Sequence, residues 1–327
     1  MTSSPSNEAM FQPDVQKRSI AAPITDVADS QMGAFEKTCV IFNPTSGKGR
    51  AQRLLERSKL PAHVDLMPIP EAGAGELTAR SALDAGYRTL IAAGGDGTVH
   101  EVANAILADE GDATLGVWPL GSANDFAYTL GIDDKQDRFN RTQVRQVDAG
   151  LIETQCGRRR WFINSLGVGF NGAVTLEARK IKWLRGMLLY GLGIVQAMRK
   201  HYRHPVLRVA ADDNVRETPS LSLTVNLGKR EGGFPLTPQA DPCDGLFDVL
   251  HVGPISRWEL IKHLPKMATG KIPNDHPHVW KNRAREVRVE SPEPLRIHLD
   301  GEFFCHPEDG ILKATVRLLP AKLRVRI

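Results

Sequence analysis

From Lys37 onward, a short apolar run three times ends in a loop of glycine and small polar residues, then passes toward a helix. "TCVIFNP" leads through "TSGKGR" into "AQRLLERSKL", with Leu54 and Leu55 inward. "RTLIAA" enters "GGDGT", after which Val99, Val102, Ala103, Ile106 and Leu107 recur at helix spacing on one face. "LGVWPL" at 115–120 ends in "GSANDFA". Strands alternating with helices predict a parallel sheet covered by helices, an α/β fold that binds ligands beyond the carboxyl ends of its strands. All three loops fall at such ends.

After about Gly150 the texture changes to alternating segments such as "RRWFINSLGV", "SLSLTVNL", "DVLHV" and "PLRIHLDGEFF". These predict a second, mostly antiparallel β-rich domain. Helical patterns at 172–202 and roughly 256–269 interrupt it, and "ATVRLLPAKLRVRI" is strand-like again. The expected organisation is a disordered tail over 1–36, an α/β domain over 37–147 completed by 312–327, and a β-rich domain over 148–311.

Composition excludes little but points consistently. A hydrophobic share of 41% and a charged share of 24% are those of an ordinary folded chain, and a net charge of +4 is too mild to imply nucleic acid. Cys39, Cys156, Cys243 and Cys305 form no CxxC pair, so the expectation is reduced thiols in a cytosol. The first thirty-odd residues lack the basic start and apolar core of a secretory signal. The most apolar run, 187–198, is twelve residues, against ~20 for a spanning helix. No histidine belongs to a metal pattern such as HExxH.

The loops carry the chemistry. Gly94, Gly95 and Gly97 can take positive φ and carry no Cβ, so backbone N–H groups can converge on phosphate oxygens at a helix N-terminus, and Asp96 can hold magnesium. Thr98 and Glu101 have capping-box spacing, which would merely start the helix. Asn43, Ser46, Gly47, Lys48 and Gly49 offer amide, hydroxyl and ammonium donors to an anion, although the Walker A pattern is absent. Gly121, Ser122, Asn124 and Asp125 form the third loop, where Asn124 or Asp125 could equally cap a short helix.

"VIFNPTSGKGR", "LIAAGGDGTVHEVANAI" and "GVWPLGSANDFAYTLGI", in this order, resemble the diacylglycerol kinase catalytic domain shared by bacterial soluble lipid kinases, sphingosine kinases and ceramide kinases. NAD kinases also carry "GGDGT", but the flanking loops select the lipid kinase branch. Ser122 stands where threonine is usual and keeps the hydroxyl. The resemblance implies a three-layer NAD kinase/diacylglycerol kinase-like domain beside a β-sandwich, with ATP between them. It also implies Mg²⁺-dependent transfer of the γ-phosphoryl group to a lipid hydroxyl, such as that of diacylglycerol or a sphingoid base. It makes Asp300 of "HLDGEFF" the general base, with Glu302 organising metal or water, against the plain alternative of an Asp-Gly hairpin turn. Bacterial members hold a structural magnesium at positions matching Asp241, Asp244 and the carbonyl of Leu246, where an Asp-Gly turn is the alternative.

Residues 176–204, with Trp183, Met187, Leu188, Leu189 and Tyr190 between basic ends, suit either an anionic membrane or a core helix. The expected partners are therefore ATP, a lipid acceptor and an anionic membrane surface, with no nucleic acid and a homodimer left open. The expected location is the cytoplasm, peripherally at the inner face of the membrane. Two rivals stand beside this reading: an NAD kinase, and a non-catalytic nucleotide- or lipid-binding protein on the same fold.

Overall fold

The computed structural model describes residues 37–44, 49–58, 60–109, 111–133, 143–181, 184, 186–272 and 276–327. The expected tail and the loop residues Ser46, Gly47 and Lys48 lie outside them. The first part of the chain forms β1 (Thr38–Phe42), α1 (Arg50–Arg57), β2 (Val64–Pro68), α2 (Gly75–Asp84), β3 (Thr89–Gly94), α3 (Asp96–Ala108), β4 (Thr114–Pro119) and α4 (Asp125–Leu130). The strands pair in parallel in the order β2-β1-β3-β4. Their side chains alternate between faces. Cys39, Ile41, Leu90, Ala92 and Val117 pack on one side with Ala79 and Ala82 of α2 and Val102 and Ala103 of α3. Val40, Phe42, Ile91, Ala93 and Trp118 pack on the other with Ala51 and Leu55 of α1. The result is the three-layer α/β unit expected.

The second part comprises β5 (Val144–Thr154), β6 (Arg159–Phe162), β7 (Ser165–Gly169), α5 (Phe170–Arg179), α6 (Gly186–Lys200), β8 (Val206–Ala211), β9 (Asn214–Pro219) and β10 (Ser222–Asn226). It continues with β11 (Phe247–Val252), α7 (Arg257–Ala268), β12 (Val279–Ala284), β13 (Glu286–Glu290), β14 (Ile297–Leu299), β15 (Glu302–Cys305) and β16 (Lys313–Arg326). An antiparallel sheet β12-β11-β10-β7-β14-β15 faces strands β5, β8, β13 and β16 of the first sheet across an apolar core that includes Leu166, Val168, Leu223, Val225, Val287 and Val316. The opposite face of the antiparallel sheet is covered by α5, α6 and α7, through Phe170, Ile194, Met198 and Leu260. Residues 172–202, one helical stretch in the sequence reading, are thus mainly two helices. Both grip one buried carboxylate, Glu177, which meets Lys180 at 2.7 Å, Lys200 at 3.0 Å and His201 at 3.3 Å.

β16 joins the two parts. Its start pairs with β13 and its end pairs in parallel with β4 through Arg324–Arg326, while β5 runs antiparallel along both halves. β5 itself crosses the expected boundary at 147/148, so a shared strand, rather than a linker, connects the units. Where β16 bends, Ala321 has φ 51° and its N–H donates to Asp148 Oδ1 at 2.8 Å.

Candidate active site

The loops after β3 and β4 lie side by side at the carboxyl edge of the parallel strands, and glycine is what lets them touch. A Cβ on Gly121 would come 2.4 Å from Gly95 Cα, closer than real atoms approach. On Gly94 it would meet Thr98 Oγ1 at 2.3 Å, and on Gly97 it would meet Glu302 Oε1 at 2.7 Å. Gly94, Gly95, Gly97 and Gly121 are all absent from the residues with positive φ, so close approach, not left-handed backbone, is their reason. The capping-box alternative also fails. Gly95 is the N-cap of α3 and has no side chain with which to cap it, and Thr98 is buried inside that helix. Glu101 instead accepts from the N–H of Gly75, where α2 begins.

Asp96 spans the two loops. Its Oδ2 accepts from Asn124 N–H at 2.8 Å and its Oδ1 from Asp125 N–H at 2.7 Å, so it caps α4 from another loop. Asn124, with φ 51°, turns its own side chain back to Gly121 N–H at 2.9 Å, and Ser122 is exposed beside it. Asp125 is buried, accepts from Gly233 N–H at 3.1 Å and stands 3.3 Å from Arg230 Nε. Burial raises the carboxyls of both Asp96 and Asp125 above the ordinary range. Asp300 raises the first further and Asp96 the second, against the pull of backbone N–H groups and Arg230. Two carboxylates that repel each other in a buried cleft are a donor set that suits Mg²⁺, which binds through one or two carboxylates together with phosphate oxygens.

Asp300 lies opposite, in the hairpin between β14 and β15. The turn alternative and the site expectation meet here: Asp300 and Gly301 both have positive φ, at 50° and 83°, and the Asp300 side chain is buried in the cleft. Oδ1 accepts from the N–H groups of Asn164 and Ser165 at 2.9 Å each. Oδ2 accepts from Ile163 N–H at 3.1 Å and lies 2.8 Å from His100 Nδ1. With Nδ1 donating, His100 Nε2 becomes the acceptor for Asn104 Nδ2 and Arg160 Nε, both at 3.3 Å. Arg160 is held in turn by Glu76. Glu302 pairs with Arg179 and approaches the first turn of α3 at Gly97. Asn43, at the end of β1, donates its N–H to Ala93 O at 3.4 Å on the same edge.

A cavity opens from this cluster. Asp96, His100, Asp125, Asn164, Ser165 and Asp300 line one end. It continues between the antiparallel sheet and α5–α7 past Phe170, Ile194, Leu221, Phe234, Leu260 and Met267. The lining is thus polar at the parallel-strand edge and apolar beyond it.

Comparison with known proteins decides the family. Residues 37–152 match the diacylglycerol kinase catalytic domain, and residues 164–327 match the YegS C-terminal NAD kinase beta sandwich-like domain. The chain is 30% identical over 281 residues to a diacylglycerol kinase of Bacillus subtilis (strain 168), covering 82% of this chain and 90% of that protein. The chain belongs to the diacylglycerol kinase family. It is also 30% identical over 275 residues to a diacylglycerol kinase of Staphylococcus aureus (strain bovine RF122 / ET3-1), covering 81% of this chain and 85% of that one. A crystal structure of a diacylglycerol kinase from Bacillus anthracis str. Sterne, 20% identical, shares the fold with a TM-score of 0.66, covering 90% of this chain and 97% of that one.

The second acidic loop suggested by the likeness to diacylglycerol kinases lies away from the cavity. Asp241 Oδ1 accepts from Cys243 N–H at 3.0 Å, and Asp244 Oδ1 from Leu246 N–H at 3.1 Å, while Arg283 pairs with Asp244. Asp148 joins this loop to the bend in β16, taking Gly245 N–H at 2.8 Å. Among the described residues, no three His, Cys, Asp or Glu side chains gather at metal-binding spacing. The sequence reading of this diacylglycerol kinase relative missed His100, Asn104, Asp148 and Arg230. His100 and Asn104 left a trace, being polar residues four apart on the helix of "GGDGTVHEVANAI". Asp148 and Arg230 left none, because only the folded chain brings them to their partners.

Proposed function

We propose that this chain transfers the γ-phosphoryl group of ATP to the hydroxyl of a lipid, diacylglycerol or a related glycerolipid or sphingoid lipid. One observation supports the reading above others: an apolar cavity whose polar end is made by Asp96, Asp125 and Asp300. An acyl chain suits its lining, and a reacting hydroxyl then falls among the carboxylates. A dinucleotide, polar throughout, has no use for that lining, which disfavours the NAD kinase alternative.

The lipid oxygen attacks the γ-phosphorus, the bond to the β–γ bridging oxygen breaks, and ADP leaves with that electron pair. Asn43, Ser46, Gly47, Lys48, Gly94, Gly95, Gly97, Thr98, Gly121, Ser122, Asn124 and Asp125 make up the nucleotide loops in this reading. Asp96 and Asp125 would hold Mg²⁺, which would supply neutralisation of charge on the transferred phosphoryl group. Asp300 takes the hydroxyl proton. All four of its lone-pair sites already have donors, three of them backbone N–H groups, so the hydroxyl gains access where the His100 side chain yields. Glu302 steadies Arg179 beside the first turn of α3. A structural Mg²⁺ at Asp241, Asp244 and the Leu246 carbonyl would compete with Arg283 for Asp244. A Mg²⁺-dependent rise in melting temperature, lost in Asp241→Ala, tests it.

Among the described residues no helix is long and apolar enough to cross a membrane. Peripheral contact is the proposal, with α7 as its centre: Trp258 is 80% exposed and Ile261 43%, beside Lys262 and Lys266, while Leu260 and Met267 of the same helix line the cavity. The decisive experiment is transfer of γ-labelled phosphate from ATP and Mg²⁺ to lipids in mixed micelles, with NAD in parallel. A labelled lipid is expected; label in NADP alone would overturn the reading, and ATP binding without transfer would leave the non-catalytic alternative.

A further inference from the structure

The face of the antiparallel sheet that looks into the cavity carries a histidine with an unusual lack of company. His298, on β14 two residues before Asp300, is 0% exposed and lines the cavity. Gly167 on the neighbouring strand makes room for it, since a Cβ there would come 2.2 Å from His298 Nε2. Nε2 stands 3.1 Å from Glu231 Oε1 without the alignment of a hydrogen bond, and Nδ1 has no hydrogen-bond partner among the described residues. Leaving a buried polar atom unmatched is costly, so a folded chain that keeps one does so where something else completes it.

Glu231 is also on the cavity wall, with Oε2 3.3 Å from Asn171 Nδ2, whose stronger bond goes to Thr224 Oγ1 at 2.6 Å. The chemistry of this corner is one-sided. A carboxylate only accepts, and a neutral imidazole that turns its N–H toward Glu231 leaves the other nitrogen an acceptor. Such a wall asks its ligand for donors. Diacylglycerol has one, the hydroxyl that reacts, and its remaining oxygens belong to esters.

We propose that His298 and Glu231 form a headgroup subsite that takes a hydrogen bond from a second donor on the acceptor lipid, favouring acceptors with an additional hydroxyl or ammonium over diacylglycerol. The inference rests on the lipid kinase reading, and its test separates the two. The full chain is assayed with ATP and Mg²⁺ on 1-oleoylglycerol, on its 2-O-methyl ether, which keeps the acyl chain and the primary hydroxyl but loses the second donor, and on dioleoylglycerol. The diol is expected to exceed both single-donor lipids in kcat/KM by about tenfold or more, the size of one hydrogen bond to a charged group. That ratio falls toward one in His298→Leu and in Glu231→Ala; the second, at a partly exposed position, serves if the first does not fold. Equal use of diol and ether by the wild type, a preference for dioleoylglycerol, or a diol preference that survives in both variants overturns the subsite and leaves the kinase standing. No phosphorylated lipid from any of the three overturns the kinase reading and the subsite with it.

Discussion

His100 Nδ1 lies 2.8 Å from Asp300 Oδ2, both side chains buried, across 200 residues of chain. The contact ties a helix of the α/β unit to a hairpin of the β-rich one, and among the described residues it is the one side-chain donor on a carboxylate otherwise held by backbone.

That arrangement predicts unequal outcomes for the two partners. Asp300→Asn puts an amide donor where N–H groups already point, so it is expected to lower turnover by at least about a hundredfold and stability by about 2 kcal/mol. His100→Ala opens the carboxylate and is expected to keep turnover within about tenfold. Saturating kinase rates and thermal melts on both variants decide. A His100→Ala loss as deep as that of Asp300→Asn would show that His100 itself is required.

The contact of Gly121 with Gly95 predicts that Gly121→Ala is far worse than its size suggests. A methyl group 2.4 Å from the Gly95 Cα pushes the two loops apart, at a cost of about 2–3 kcal/mol, and raises the KM for ATP. Gly131→Ala is the comparison. Gly131 has φ 70° with open space around it among the described residues, so backbone strain of about 1 kcal/mol is expected, with the ATP KM unchanged.

Two buried groups contribute to acid sensitivity in separate pH ranges. Burial pushes His251 down to about 4, so the folded state resists a proton that the unfolded chain takes up near pH 6.5. The His251 contribution is therefore full above about pH 6.5 and is lost as pH falls toward 4, by on the order of 3 kcal/mol, while Asp125, raised to about 7 by burial, works in the opposite direction over the same range. Glu177 follows. Burial alone would raise its carboxyl, but Lys180, Lys200 and His201 hold it at about 2, so its contribution is present above its unfolded value and disappears as pH falls through about 2. Melts of His251→Gln between pH 7 and 4 are expected to lose less stability toward acid than those of the wild type; an unchanged slope would reject the assignment.

Trp258 sits on the open side of α7, so Trp258→Glu is expected to leave the melting temperature within about a degree while weakening binding to anionic vesicles by roughly tenfold or more. Vesicle sedimentation reads the effect. Undiminished binding would move the membrane contact elsewhere, with Leu188 of α6, 74% exposed, the next candidate.

The parallel unit was legible in the sequence because each strand, loop and helix there is local: apolar alternation, glycine and helix spacing sit within a few residues of one another. β2 escaped notice because it is an edge strand with Asp65 and Leu66 exposed, so its pattern is diluted. In the site, Asp96 and Asp125 stand out by loop chemistry and Asp300 only through the likeness to diacylglycerol kinases, and what the three do to one another is not legible at all. Asp96 capping a helix 29 residues on, Arg230 reaching Asp125 and His100 holding Asp300 are products of tertiary proximity, which no spacing encodes. Gly95 and Gly121 bring backbone close to backbone, and Gly94 and Gly97 leave room for the Thr98 and Glu302 side chains, with no left-handed turn involved.

The placement of β16 sets an order on synthesis. The sheet that carries the nucleotide loops ends at β4 until a strand made after the whole β-rich part arrives to pair with it. A ribosome therefore releases the α/β unit with an open, apolar edge and no neighbour for β4, and that edge closes only when the later region has been translated. Folding of this chain is in that sense retrospective: its earliest strands wait on one of its latest, and a chaperone that shields a bare sheet edge has its moment in between.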